Sequence, residues 1–265
     1  MITLLLSFAL SGATFAAETK AHAPVVFAHG LGITAHPYEA VPLKRIFAEQ
    51  GFEVRLAYTP LIGSLEERAR VLDSEIRRLV PQGKFHLIGH SMGGLDARLA
   101  IHAYGWGERC LSLTTLATPH RGSVVADYVI ARLDQGGPVL RELLRLVGDD
   151  VRAIEQLTTR YMNEEFNRRV INDPRVRYFS FGFFIPTPAS LQTPIPWLWL
   201  AHAINAQAGF PSNDALVSVE SARWGDDQGA FPGDHYSETG PFPLGGRLIF
   251  EETFRRALSN LNRRF

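Results

Sequence analysis

The stretch from Phe85 to Gly94 constrains the fold of this chain more than any other part of the sequence. It joins an apolar run to a glycine-rich turn, and Gly89, Ser91 and Gly93 fit the pattern G-x-S-x-G. In that pattern the serine lies on a sharp bend between a strand and a helix, with its hydroxyl exposed above the sheet. The apolar residues before and after the turn have strand and helix spacing, respectively. The stretch therefore predicts a strand, a tight turn and a helix, with Ser91 as a nucleophile rather than a structural turn residue.

The first part of the chain alternates between strand and helix patterns. Short apolar runs predict strands at 24–29, 52–58, 85–88 and 111–117. Helices are predicted between them, from about Pro37 and from Leu65 to Leu79, where Ser64 and Glu67 form a capping-box pair. Strand and helix alternate with short links, which predicts an α/β fold with a mostly parallel central sheet and helices on both faces.

The alternation stops after the fourth strand. Helical patterning over 122–172 predicts an insertion above the carboxyl ends of the strands. Its amphipathic segment 139–147 follows two glycines and is interpreted as a mobile lid, with an ordinary core-packed helix as the alternative. Further strands are predicted at 175–181 and 215–219, and a helix closes the chain.

Composition limits the classes of partner. Lys plus Arg and Asp plus Glu both number 27, so the net charge is zero and no bulk attraction to nucleic acid is expected. Cys110 is the only cysteine, which excludes an internal disulfide and favours a buried apolar role for that side chain. The 265 residues, 46% of them hydrophobic, suit one globular domain, predicted here for residues 17–265.

The N-terminal residues 1–16 have the features of a secretory signal peptide. An apolar segment precedes Thr14-Phe15-Ala16, which offers small residues at the cleavage positions, although no Lys or Arg occurs in the first nineteen positions. The apolar segment is too short for a stable membrane span. The pattern predicts a secreted or periplasmic protein that begins near Ala17, with a membrane-tethered form as the alternative.

A serine nucleophile needs a general base. In the fold that carries this turn, the acid and then the histidine follow the serine along the chain. Four histidines follow Ser91, at positions 102, 120, 202 and 235. We assign the base to His235, because it is the last of them and lies in a loop rich in Gly, Pro and Asp, where a positioned catalytic residue is expected.

The orienting acid is assigned to Asp214, which precedes His235 in the sequence Pro-Ser-Asn-Asp. Asp226, Asp227 and Asp234 remain competitors. The side chain of Asp234 is adjacent to His235 and would point away from it, while Asp226 and Asp227 have the pattern of a solvated turn.

Two backbone amides are candidates for the oxyanion hole that acyl transfer requires. The Met92 amide follows the nucleophile and opens a helix, whose positive end faces the site. The second donor is expected in the loop after the first strand, at Leu31. His29, at the start of this loop, is interpreted as a structural residue.

Several motifs together resemble the secreted true lipases of Gram-negative bacteria, within the α/β-hydrolase superfamily. They are Ala28-His-Gly-Leu31, Gly89-His-Ser-Met-Gly-Gly94, Thr118-Pro-His-Arg-Gly-Ser123, Leu157-Thr-Thr, Phe166-Asn167, Asn213-Asp-Ala-Leu-Val-Ser218 and Asp234-His235. The resemblance implies an α/β-hydrolase fold, a lid within 122–172, and fatty-acid esters as substrates. It places the nucleophile at Ser91, the acid at Asp214, the base at His235 and the oxyanion donors at Leu31 and Met92.

The chain departs from that family at its calcium site. The family's aspartate two residues after the catalytic histidine is Ser237 here, and no Asp or Glu occurs between Pro174 and Asn213. Calcium takes six to eight oxygen ligands, usually with carboxylates among them. We therefore predict no calcium site, no other metal and no cofactor, with Glu238 as a weak substitute ligand. Many members also carry a disulfide, which this chain cannot form, so the need for a folding helper stays open.

The sequence thus predicts a secreted serine carboxylester hydrolase, a lipase that cleaves triacylglycerols through an acyl-enzyme at an oil-water interface. The alternatives on the same triad are an esterase for short soluble esters and an acyltransferase. A non-catalytic lipid-binding protein on a hydrolase fold is the alternative from a different class.

Overall fold

A computed structural model describes residues 22–32, 37–133, 151–187, 196–238 and 246–261. The predicted signal peptide at 1–16 and the amphipathic segment 139–147 lie outside these ranges.

A six-stranded parallel sheet forms the centre of the fold, with the strand order β2-β1-β3-β4-β5-β6. The strands are β1 Val25–Ala28, β2 Val54–Ala57, β3 Phe85–His90, β4 Cys110–Leu116, β5 Arg177–Phe184 and β6 Asp226–Pro232. Every residue of β1 and β3 is buried. Strands in the middle of a parallel sheet are covered on both faces, which explains their unbroken apolar runs.

Helices cover both faces of the sheet, as predicted. They are α1 Pro37–Ala48, α2 Leu65–Leu79, α3 Met92–Tyr104, α4 Val124–Ile130, α5 Arg152–Glu155, α6 Thr159–Tyr161, a π-helical turn Met162–Phe166, α7 Asn167–Arg169, α8 Pro196–Gln207, α9 Val219–Ala222 and α10 Gly246–Leu261. Val26 and Ala28 pack with α2 and α3 on one face. Val25 and Phe27 pack with Phe47 of α1 and Phe254 of α10 on the other. The period of two along β1 therefore separates two cores.

The start of α2 confirms the predicted capping box. The Ser64 hydroxyl accepts from the Glu67 amide at 3.2 Å, and the Glu67 carboxylate accepts from the Ser64 amide at 2.9 Å. These bonds satisfy two donors that a helix start leaves unpaired, and they fix where α2 begins.

Two predictions for the last third of the chain are wrong. Residues 215–219 do not form a strand, because the backbone there folds around the carboxylate of Asp214 and makes only an isolated bridge between Asn213 and Ser218. Asp226 and Asp227 do not form a turn but begin β6. This strand lies at the edge of the sheet and is half-exposed, so its sequence lacks the apolar run that identifies central strands.

The described part of the segment between β4 and β5 contains helices, turns and no strand; residues 134–150 lie outside the described ranges. Among the helices of the described ranges, none combines the length and the apolar character that a bilayer span requires. Cys110, at the start of β4, is buried, and burial raises the pKa of its thiol above the ordinary value.

His86 in β3 makes stability depend on pH. Its side chain is 3% exposed and its Nδ1 lies 2.7 Å from the Ser112 hydroxyl. Burial, with a smaller contribution from His22, lowers the pKa of His86 to about 4. Since an unfolded histidine titrates near ~6.5, stability from neutral His86 is complete above that pH and is lost as the pH falls toward the folded value. We expect acidification across this window to lower the free energy of unfolding by about 3 kcal/mol through this group.

Urea unfolding of the wild type and His86→Gln at pH 7 and pH 4.5 measures this effect. The variant should lose less stability on acidification than the wild type. His102→Gln is the matched control, because His102 is an exposed histidine of α3. Equal acid sensitivity of the wild type and His86→Gln would assign the effect to other groups.

Candidate active site

Ser91 lies at a strained bend between β3 and α3. Its backbone angles are φ 52° and ψ −131°, a combination that a residue with a Cβ rarely adopts. The Ser91 amide donates to the Leu116 carbonyl at 2.9 Å, and the Ser91 carbonyl accepts from the Gly94 amide at 3.0 Å. These bonds hold the bend against the carboxyl end of β4 and leave the hydroxyl pointing away from the sheet core.

The glycines of the motif are required by close backbone contacts. A Cβ at Gly93 would lie 2.4 Å from the Ala28 carbonyl oxygen, and one at Gly89 would lie 2.5 Å from the Gly94 Cα. A real Cβ does not tolerate such distances. The glycines of the pattern G-x-S-x-G are thus required because α3 packs directly onto the ends of β1 and β3.

The structure brings together the three residues that the sequence assigned to a triad. His235 Nε2 lies 2.9 Å from the Ser91 Oγ, and His235 Nδ1 lies 2.8 Å from the Asp214 Oδ2. The side chains of His235 and Asp214 are almost fully buried. The carboxylate accepts only if Nδ1 carries the proton, so Nε2 presents its lone pair to the serine hydroxyl. This is the tautomer in which histidine can take a proton from serine.

The carboxylate of Asp214 is fixed by the backbone that follows it. Its Oδ1 accepts from the Leu216 amide at 2.8 Å and the Val217 amide at 2.7 Å, which leaves Oδ2 for His235. The turn places Ala215 at φ 90°. In addition, the His235 amide donates to the Asp214 carbonyl at 2.9 Å, so the main chain joins the acid loop to the base loop.

The competing acids and histidines have other partners. The Asp234 carboxylate accepts from the Tyr236 and Ser237 amides at 3.2 and 3.1 Å and so closes its own turn. His120 Nε2 lies 3.0 Å from the Thr115 hydroxyl, and His202 Nδ1 lies 2.8 Å from the Asn213 side-chain oxygen. His102 is exposed on α3.

The predicted oxyanion donors flank the serine. Met92 is the first residue of α3, where amides point out of the helix. The loop with Leu31 passes directly against Ser91, since a Cβ at Gly30 would lie 2.8 Å from the Ser91 Cβ. His29 Nδ1 lies 3.1 Å from the Gly30 carbonyl, and burial lowers its pKa, as suits a structural histidine. The oxyanion role of Leu31 and Met92 stays a prediction.

Glu238 and His90 form a buried pair next to His235 that the sequence did not predict. Glu238 Oε2 lies 3.2 Å from His90 Nε2, and the rings of His90 and His235 are 4.9 Å apart. Burial raises the pKa of Glu238 well above its usual range, with contributions from Asp214 and Asp234, and burial lowers the pKa of His90 well below its own. Both shifts favour the neutral forms of the two groups. The spacing of three residues from His235 was the available signal, but burial could not be inferred from it.

The cluster of metal-type ligands next to Ser91 is unsuited to the calcium ion of the resembled family. His90, His235 and Glu238 bring one ligand atom each within 4.8 Å of one another. Both nitrogens of His235 already contact Ser91 and Asp214, and a set with two imidazoles is unsuited to an ion that prefers oxygen. The Ser237 hydroxyl, at the family's ligand position, donates to the Asp234 carbonyl at 2.9 Å.

Comparisons with known proteins agree with this architecture. The α/β-hydrolase fold family matches residues 63–138. Triacylglycerol lipase 2 of Saccharomyces cerevisiae is 36% identical over 200 residues, which cover 71% of this chain and 58% of the yeast protein. A triacylglycerol lipase of Burkholderia plantarii is 32% identical over 136 residues, 47% of this chain and 37% of that protein. This chain thus spans less than two thirds of either relative.

A solved structure shows the same fold over most of the chain. The mature form of the Bacillus licheniformis lipase BlEst2 superposes with a TM-score of 0.72 at 21% identity, covering 90% of this chain and 93% of that one. The strand order, the bend at Ser91 and these matches lead to one conclusion. This chain has the α/β-hydrolase fold, and triacylglycerol lipases are among its relatives.

Proposed function

We propose that this chain is a serine carboxylester hydrolase that cleaves fatty-acid esters, of the kind found among secreted bacterial true lipases. The observation that carries the proposal is the hydrogen-bonded series Ser91–His235–Asp214, with distances of 2.9 and 2.8 Å. A serine hydroxyl is a weak nucleophile at neutral pH, and this arrangement is the one that makes it reactive.

The proposed reaction has two halves. His235 Nε2 takes the hydroxyl proton of Ser91 while Oγ bonds to the ester carbonyl carbon. The Leu31 and Met92 amides donate to the oxyanion of the tetrahedral intermediate. The bond to the alcohol oxygen then breaks, His235 returns the proton to that oxygen, and the acyl group remains on Ser91. His235 then takes a proton from a water molecule, whose oxygen bonds to the acyl carbon. The bond from that carbon to the Ser91 Oγ breaks, His235 gives the proton to Oγ, and the carboxylic acid is released.

The surroundings of the base support an apolar substrate. The Tyr236 ring meets the His235 ring at a centroid distance of 6.2 Å, and the Trp197 ring of α8 meets the Tyr236 ring at 6.4 Å, both edge to face. Both aromatic side chains are only partly buried. Aromatic surface beside the imidazole suits a hydrocarbon chain better than a charged group. Two relatives of this chain are named triacylglycerol lipases, which agrees with this substrate class.

We further propose export to the periplasm or the medium with residues 1–16 as a signal peptide, a lid within 122–172, and catalysis without metal or cofactor. These features follow from the sequence patterns and the family resemblance. The mass of the mature chain tests the proposed signal peptide, since its cleavage predicts an N-terminus near Ala17.

Labelling with a fluorophosphonate probe tests the mechanism. The wild type should be labelled stoichiometrically at Ser91, and Ser91→Ala should not be labelled. An unlabelled wild type that still binds lipid would instead indicate a non-catalytic lipid-binding protein.

A comparison of substrates tests the lipase assignment. Emulsified triolein and soluble p-nitrophenyl butyrate should both be hydrolysed, with a rise in the triolein rate once droplets form. Hydrolysis of the butyrate ester alone would favour the short-chain esterase. Transfer of the acyl group to an added alcohol in preference to water would favour the acyltransferase.

A further inference from the structure

Arg68 of α2 is a fully buried cation beside the active site. Its Nε and Nη2 lie 2.9 and 2.8 Å from the Asp96 Oδ2 on α3, and neither side chain is exposed to solvent. The other Asp96 oxygen has no hydrogen-bond partner among the described residues. Burial of two charges is costly, and well-packed apolar side chains are often at least as stable in their place. Stability alone therefore does not account for this pair.

The remaining donors of Arg68 reach two loops at the carboxyl edge of the sheet. Nη2 donates to the His29 carbonyl at 2.9 Å, and Nη1 donates to the Pro60 carbonyl. The Gly32 amide also donates to the Leu61 carbonyl at 2.8 Å, so the two loops are joined to each other as well. One guanidinium thus connects the loop of Leu31, the loop after β2 and the helix that follows Ser91.

The loop His29–Gly32 needs an external anchor because it packs on the nucleophile through a glycine. Gly30 has no side chain that could fix the position of the loop. A Cβ there would lie 2.8 Å from the Ser91 Cβ, so a larger residue does not fit. Gly32 adopts φ 69°, which a residue with a side chain rarely does. An oxyanion donor must be held within a few tenths of an ångström of its productive position to be effective.

We propose that Arg68, held by Asp96, is a positioning residue that fixes the Leu31 amide for oxyanion stabilisation. The inference rests on the proposed ester hydrolysis. Arg68 does not touch the reacting atoms; it acts through the His29 carbonyl at the start of the loop. A lysine cannot replace it, because a single ammonium lacks the planar fork that reaches Asp96, His29 and Pro60 at once.

The test separates positioning from folding by removing both charges together. In Arg68→Met with Asp96→Leu no charge is left unpaired, so we expect a folded protein with a melting temperature near that of the wild type. With p-nitrophenyl butyrate at pH 8, kcat should fall about 100-fold, roughly the effect of one lost oxyanion donor, with little change in KM. The rate of fluorophosphonate labelling should fall by a similar factor. Asp96 is ionised in the wild type at this pH, since burial raises its pKa only to about 6.

Two further variants complete the experiment. Arg68→Lys keeps a charge opposite Asp96 and should also lose kcat, even if the double variant does not fold. Arg98→Met is the control, because Arg98 is also buried but packs on the Trp224 and Phe166 rings. Its kcat measures how much activity is lost when a buried arginine is removed elsewhere in the core. A folded double variant or Arg68→Lys variant with wild-type kcat would overturn the inference. A wild type without esterase activity would overturn the proposed function instead.

Discussion

Replacement of Ser91 by glycine is expected to abolish ester hydrolysis and to raise the melting temperature at the same time. The oxygen of the proposed nucleophile is lost, and comparable losses in serine hydrolases reach about 10⁴-fold or more in kcat. The backbone at φ 52° and ψ −131° is strained for serine, at a cost of about 1–3 kcal/mol, whereas glycine adopts it freely. Glycine is more flexible than serine in the unfolded chain, which offsets part of this gain. The free energy of unfolding should therefore rise by about 1 kcal/mol. For a chain of this size that corresponds to about 2 °C.

The matched control is Ser91→Ala, which removes the same oxygen but keeps a Cβ. It should be as inactive as Ser91→Gly, with a melting temperature close to that of the wild type. Calorimetry of the three proteins and kcat with p-nitrophenyl butyrate provide the comparison. Equal melting temperatures for the two variants would show that the bend is not strained, and residual activity near the wild-type level would point to another nucleophile.

Gly93→Ala is expected to have the second largest effect, on stability and activity together. The new Cβ would lie 2.4 Å from the Ala28 carbonyl oxygen and 2.6 Å from that of His29, and both are backbone atoms that no side-chain rotation can move. The helix α3 must therefore shift away from the end of β1. We expect a loss of about 3 kcal/mol in the free energy of unfolding, the upper range for an overpacked core. Because the same shift separates the Leu31 loop from Ser91, kcat should fall about 100-fold in the folded protein.

Gly105→Ala separates the clash from a general effect of filling a glycine. Gly105 ends α3 at φ 71°, and a Cβ there meets nothing within 4 Å among the described residues. It should cost about 1 kcal/mol for the left-handed backbone and leave kcat unchanged. Urea unfolding and steady-state kinetics measure both quantities. Gly93→Ala with the stability and kcat of Gly105→Ala would contradict the close packing of α3 on β1.

The parts of the fold that the sequence predicted are those with a local cause. The capping box at Ser64 and Glu67 forms from residues three positions apart, and the bend at Ser91 forms from a pattern of five. The central strands are recognisable because burial on both faces requires an unbroken apolar run. The edge strand β6 has no such requirement, and its first residues, Asp226 and Asp227, have the pattern of a solvated turn rather than of a strand.

The proximity of Ser91, His235 and Asp214 was predictable because chain order restricts the choice of candidates, and motif resemblance supplied the rest. The residues around it were not, because their roles arise from contacts between distant positions. His90 meets Glu238 across 148 positions, and Arg68 meets Asp96 across 28. Titratable residues of these types are common on protein surfaces. Only the three-dimensional structure shows that all four are buried and that the two members of each pair are in contact.

The hydrogen bond from the His235 amide to the Asp214 carbonyl has a consequence for engineering. Both atoms of this bond belong to the main chain. The bond therefore fixes the spacing of positions 214 and 235 whichever side chains they carry. A variant in which both side chains are replaced would still hold positions 214 and 235 next to each other, beside the same aromatic rings. The loop pair is therefore a ready scaffold on which other donor and acceptor combinations, and with them other reactions, can be installed.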